Sequence, residues 1–196
     1  MKITKELLKE KGACAAGYRD FLKEYPVDKY PDGVEYQELL DCCAEKNFRY
    51  GSWLLGAFGK TDDIRKIEGD LIVEEGIIFA GQLEVKGCIK AGEGIKAGSG
   101  IKAGRGIKAG RGIKAGEGIE AGWGIKAGEG IEAGWGIKAG RGIKAGCGIE
   151  AGDEFGIYAG LCCRITNKTQ RKIIAKNRPE NIMCGEFEEK KDDAVR

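Results

Sequence analysis

Between Ile89 and Ile149 an isoleucine recurs at every sixth position, eleven times without a slip. The unit is G-I-[KE]-A-G-x, as in "GIEAGWGIKAGEGIEAGWGIKAG" from Gly118 to Gly140. Inside each unit apolar and charged residues alternate over three positions. Two glycines then bracket one variable residue. Alternation at period two predicts a strand with one buried and one exposed face. A three-residue strand cannot stand alone, so the pattern predicts a β-solenoid whose coils stack about 4.8 Å apart. Ile and Ala point inward, Lys or Glu outward, and G-x-G turns the corner, where glycine supplies the positive φ that corners often take. Collagen would need glycine at every third residue and abundant proline. A disordered chain has no reason to keep isoleucine in phase.

Eighteen residues would make a triangular coil and twelve a flattened one. At eighteen, the outward columns read Glu93–Arg111–Glu129, Lys102–Glu120–Lys138 and Arg105–Trp123–Arg141, all favourable neighbours. At twelve, Glu120 falls on Glu132 and Trp123 on Trp135. Eighteen is favoured and twelve is the runner-up. One feature speaks against eighteen: Lys90, Lys108, Lys126 and Lys144 would then stack like charges. Handedness stays open, because Glu, Arg or Trp stands where left-handed hexapeptide coils carry a small residue.

The chain before the tract reads differently. Residues 1–66 are predicted to form a small helical domain. Thr4 caps "KELLKEK", a second helix runs from Ala13 to Tyr25, and "YPDG" turns the chain. "VEYQELLDCCAEKN" and "FRYGSWLLGAFG" give two more helices, with Leu39, Leu40, Trp53, Leu54 and Phe58 as the core. The pattern changes near Gly69. An I-x-A-G at Ile78, Ala80 and Gly81 precedes Leu83 and Val85, which open the six-residue beat with bulkier residues. The solenoid is assigned to residues 67–160, a strand-rich C-terminal cap to 161–190, and a solvated tail to 191–196. The fold class is therefore α+β, a helical domain followed by a hexapeptide-repeat β-solenoid with a C-terminal β cap.

Composition narrows the chemistry. The chain has 196 residues, 34 glycines, three prolines, and 33 basic against 31 acidic residues. Histidine is absent, which removes the commonest general base and metal ligand. Hexapeptide acyltransferases usually rely on a catalytic histidine. The paired carboxylates Glu117 and Glu120 are copies on an outward face with no concave site implied. No catalysis, cofactor or metal site is expected. Of the eight cysteines, none lies in a C-x-x-C, and the pairs Cys42–Cys43 and Cys162–Cys163 lack metal-type spacing. Without an apolar leader or an 18-residue apolar run, the chain is expected to be cytoplasmic with no membrane partner.

Charge is uneven along the tract. Ile89–Gly116 carries seven basic residues and one acidic, whereas Glu117–Glu154 carries seven acidic and four basic. The basic end, Lys90, Lys96, Lys102, Lys108 and Lys114, is a candidate nucleic-acid contact. Arg105, Arg111, Trp123, Trp135 and Arg141 project from corner positions and are candidate contacts for a protein or ribonucleoprotein partner. The alternative for each Trp is to lie flat over the corner and cover glycine backbone.

"LLKEKGACAAGYRDFLKEYP", "YGSWLLGAFG", the G-I-[KE]-A-G-x tract and "GIYAGLCCRI" together resemble uncharacterised repeat proteins of phages and prophages from Gram-positive gut bacteria. The resemblance implies a small accessory protein, by analogy one that inhibits a host defence complex such as a CRISPR nuclease by covering a surface. It transfers no catalytic residue. The alternatives are a structural or self-assembling scaffold and direct nucleic-acid binding.

Overall fold

The computed structural model describes residues 1–152, 156–159, 172–175, 182–184 and 186–189. Cys162, Cys163 and the tail 191–196 lie outside them. The chain forms two compact units, Met1–Gly59 and Lys60–Arg196.

In the first unit the order is β1 (Lys2–Ile3), α1 (Lys5–Glu10), α2 (Ala15–Glu24), β2 (Val34–Glu35), α3 (Tyr36–Lys46) and α4 (Phe48–Phe58). Thr4 starts α1 by accepting the Leu7 N–H at 3.3 Å, and the Cys14 sulfur does the same for Gly17 at the start of α2. Val34 and Glu35, expected inside the third helix, instead pair antiparallel with Ile3 and Lys2. Gly33 makes this possible: its φ is +84°, and a Cβ there would meet the Ile3 carbonyl. Ile3, Leu8, Phe21, Leu39, Leu40 and Leu54 are buried. Trp53 is not core as expected, being 37% exposed. Leu54 takes the inward direction of α4, and consecutive helical residues point about 100° apart.

In the second unit every coil has three strands. The first coil holds β3 (Ile64–Ile67), β4 (Leu71–Val73) and β5 (Ile77–Phe79), and the second β6 (Gln82–Val85), β7 (Ile89–Ala91) and β8 (Ile95–Ala97). The third holds β9 (Ile101–Ala103), β10 (Ile107–Ala109) and β11 (Ile113–Ala115); the fourth β12 (Ile119–Ala121), β13 (Ile125–Ala127) and β14 (Ile131–Ala133). The fifth holds β15 (Ile137–Ala139), β16 (Ile143–Lys144) and β17 (Ile149–Glu150). β18 (Ile157–Ala159), β19 (Lys172–Ala175), β20 (Ile182–Cys184) and β21 (Glu186–Glu189) extend two of the faces, each pairing in parallel. The described tail strands thus continue the solenoid sheets.

The coil is eighteen residues. Ile107 pairs with Ile89 and Ile125, and Ile113 with Ile95 and Ile131, all in parallel register. The three resulting faces are β3–β6–β9–β12–β15–β18–β20, β4–β7–β10–β13–β16–β19–β21 and β5–β8–β11–β14–β17. Every repeat isoleucine from Ile89 to Ile149 is at most 2% exposed. Each contributes about 1.5–3 kcal/mol of burial relative to an exposed side chain. β3 begins at Ile64, ahead of the boundary expected at residues 66–67.

The frame near residue 78 differs from the expected one. Ile77 and Phe79, not Ile78 and Ala80, occupy the inward positions, pairing with Ile95 and Ala97. A shift of one residue exchanges the two sides of a strand, so Ile78 shares the outward column of Lys96. Ile78 is nevertheless buried.

The corners also work differently from the expectation. Among the described residues no solenoid glycine has a positive φ; the three glycines that do are Gly12, Gly33 and Gly59. Glycine is needed there for space. At each first corner glycine from Gly92 to Gly146, a Cβ would sit under 3.0 Å from the carbonyl oxygen eighteen residues earlier. At the second, such as Gly106, Gly112 and Gly118, the nearest atom is 3.3–3.4 Å away. The first coil has no coil before it, and there Glu68, Glu74 and Ala80 stand in the first-glycine position. Lys86 in the second coil departs from the rule, and Gly87 beside it takes the close approach to the Gly69 carbonyl.

Candidate functional site

An alternating strand offers its outward residue at one fixed height per coil, so each face carries one straight column. On the first face the column is Lys66, Glu84, Lys102, Glu120, Lys138 and Tyr158. It alternates in sign, and Glu120 meets Lys138 at 3.0 Å and Lys102 at 3.9 Å. On the third face it is Ile78, Lys96, Lys114, Glu132 and Glu150, with Lys114 paired to Glu132. Partial burial and then the neighbouring Lys114 charge push the Lys96 pKa down.

The second face is different. Its column is Ile72, Lys90, Lys108, Lys126 and Lys144. Four consecutive lysines stand at the coil spacing, about 4.8 Å apart. Among the described residues none of the four makes an ion pair. Beside them lies a shallow groove of about 520 Å³. Its floor is the second corner position, Cys88, Gly106, Gly124 and Gly142, where three of four residues have no side chain.

Across the groove stands Trp123, the middle residue of the corner column Arg105, Trp123 and Arg141. Arg141 lies 4.8 Å and Arg105 5.9 Å from the Trp123 ring, a guanidinium–indole–guanidinium stack. Arg105 also reaches Asp70 at 2.5 Å. Asp70 accepts the Cys88 N–H at 2.8 Å as well, and that bond followed by the Arg105 charge holds its pKa below the usual value. A lowered carboxylate contributes stability above its unfolded pKa and loses it as pH falls through the folded one. Carbon-13 titration is expected to give Asp70 a midpoint below about 3.9, with the Cys88 amide shifting in step.

The five candidate corner residues do not converge. Arg105, Trp123 and Arg141 share one corner. Arg111 occupies another, held by Glu129 at 3.3 Å and Glu93 at 3.9 Å. Trp135 stands on the third, its backbone N–H donating to the Glu117 carbonyl. The five candidate lysines also separate: Lys90 and Lys108 on the second face, Lys96 and Lys114 on the third, Lys102 on the first. Lys126 and Lys144, which complete the unpaired column, fall in the stretch that linear charge counting reads as acidic. The signal that finds them is the period of eighteen.

No protein-family model, curated protein or solved structure matches the chain.

The helical unit holds a separate apolar cavity of about 510 Å³ bordered by Phe21, Tyr25, Cys43 and Leu54. Burial pushes the Cys43 thiol up to about 12, which keeps it protonated and a poor nucleophile. Tyr36, also pushed up to about 12 by burial, donates its hydroxyl to the Gly59 carbonyl at 3.1 Å. Among the described residues no group of three or more Cys, Asp and Glu gathers as a metal site, and no helix is long and apolar enough to cross a membrane.

Proposed function

We propose that the protein is a non-catalytic scaffold, a three-sided solenoid that presents fixed columns of side chains to a macromolecular partner. The observation that carries this reading is the unbroken eighteen-residue register, which gives each face its own straight row of outward groups. The solenoid interior is packed with Ile and Ala, so chemical variety lies on the outside. The finer reading, occlusion of a host defence complex, rests on the resemblance. What favours it is the exposure of Trp123 and Trp135, 46% and 49%, since exposed Trp often anchors interfaces.

Two deletions test the scaffold. Removing residues 107–124 takes out one coil and leaves every later column aligned. Removing 107–112 keeps the Ile and Ala core but moves each later column to the next face. Both variants are expected to retain the β-rich circular dichroism spectrum. A partner captured by the intact chain should bind the first deletion at least tenfold more tightly than the second, because only the first keeps the remaining columns in line. Equal binding to both would mean that the columns are not read, and would overturn the proposal.

A further inference from the structure

We infer that the groove between the lysine column and the Arg105–Trp123–Arg141 corner is a binding site for single-stranded nucleic acid. This deepens the scaffold reading by naming one face and the chemistry of its partner. The argument begins from a comparison internal to the molecule. All three faces are built from the same hexapeptide, and its third position accepts Lys or Glu. On the first face Lys and Glu alternate; on the third, Lys114 meets Glu132. Only the second face stacks four lysines, where a single Glu at position 108 would have given two favourable neighbours. Like charges directly opposite in a sheet are unfavourable, and a polyanion laid along them reverses that term.

The groove adds shape. Its floor of glycine backbone lets a chain approach closely, and it runs along the solenoid axis because its floor and its lysine wall are columns at the coil spacing. The lysine row spans about 14 Å, three coil steps, which is room for a few nucleotides of one strand. A single strand carries phosphates along one edge and π-faces along the other. The lysine wall faces the first. Across the groove stands Trp123, whose indole edge, between the Arg105 and Arg141 side chains, offers aromatic contact to the second. An acidic peptide would use the lysine wall alone, and one row of cations meets only one strand of a duplex. On the other flank Glu93 and Glu129 are both engaged by Arg111, which limits their competition for the row. Asp70 is tied to Arg105, while Arg141 has no carboxylate partner among the described residues.

The test uses the full chain and a fluorescent oligo-dT of about ten nucleotides, read by anisotropy across a salt series. The expected plot of log affinity against log salt has a slope near −3, about −0.7 per phosphate for four or five neutralised phosphates. A mixed-sequence oligonucleotide should bind within about threefold, as stacking on a cationic groove is sequence-tolerant. The double variant Lys108→Gln/Lys126→Gln, which removes two positive charges as the control does, should lose at least tenfold in affinity while its thermal midpoint holds or rises, because it relieves the like-charge contacts within the column. The control Lys114→Gln/Lys138→Gln, on the other two faces, should keep wild-type affinity. Equal loss in the control would reduce the effect to net charge and overturn the site. No salt-sensitive binding, or tighter binding to duplex DNA, poly-glutamate or phosphatidylserine vesicles than to oligo-dT, would also overturn it. Such a failure leaves the scaffold reading to be judged by the paired deletions.

Discussion

Gly110→Ala will lower the stability of the solenoid by about 3 kcal/mol or more, and Gly112→Ala, two residues away, will change it by less than about 0.5 kcal/mol. The two glycines look equivalent in the repeat. They differ in what faces them. A Cβ on Gly110 would press into the carbonyl of Gly92, backbone against backbone, under 3.0 Å. Neither atom can rotate away, so relief requires two coils to separate where Gly110 donates its N–H to Ala91 at 3.1 Å. At Gly112 the nearest atom is the Gly130 carbonyl at 3.4 Å, which needs a shift of only a few tenths of an ångström at most. Urea-unfolding midpoints of the two variants, measured side by side, give the answer. Equal midpoints would show that coil spacing adapts freely and that corner glycines are interchangeable.

Ile113→Asp is expected to unfold the middle of the solenoid. Ile113 is 1% exposed and lies between Ile95 and Ile131 in a column with no polar group to receive a carboxylate. Ile113→Val should cost about 1 kcal/mol and Ile113→Ala about 2–5 kcal/mol. The aspartate adds the desolvation of an unpaired charge, several kcal/mol more. Burial would raise its pKa in the folded state, so the variant should recover stability as pH falls through that raised value. Amide exchange should show lost protection spreading from β11 into β8 and β14, its hydrogen-bonded neighbours. Protection retained at wild-type levels would mean that the isoleucine column is not the core.

Much of this architecture is legible in the sequence because few side chains are asked to satisfy many constraints. The sixfold isoleucine specifies short strands, and the columns Glu93–Arg111–Glu129 and Arg105–Trp123–Arg141 identify eighteen over twelve. Both columns are found as ion pairs or ring stacks. Where apolar residues run together the reading slips. "GIIFAG" accommodates two frames, and only pairing to Lys96 distinguishes Ile77 from Ile78 as the inward residue. Trp53 shows a similar limit, since a helix with apolar residues around much of its girth does not announce its buried side. The candidate site was hidden for a different reason. Charge counted along the chain divides the solenoid into a basic and an acidic end, whereas coiling sorts it into faces. The lysine column that weighs against an eighteen-residue coil in the sequence becomes the feature that distinguishes one face from the other two.

The backbone hydrogen bonds between coils have a mechanical consequence. Arg111 bonds back to Glu93 and Ile113 forward to Gly130, so these contacts point along the axis and join each coil to its neighbours in series. Tension applied between the two ends therefore loads one coil junction at a time, as in a zip, and does not shear many strands at once. Each junction that opens frees eighteen residues, about 60 Å of slack when drawn out. A solenoid that resists sideways bending through three packed faces yields to end-on pulling in small, repeatable steps.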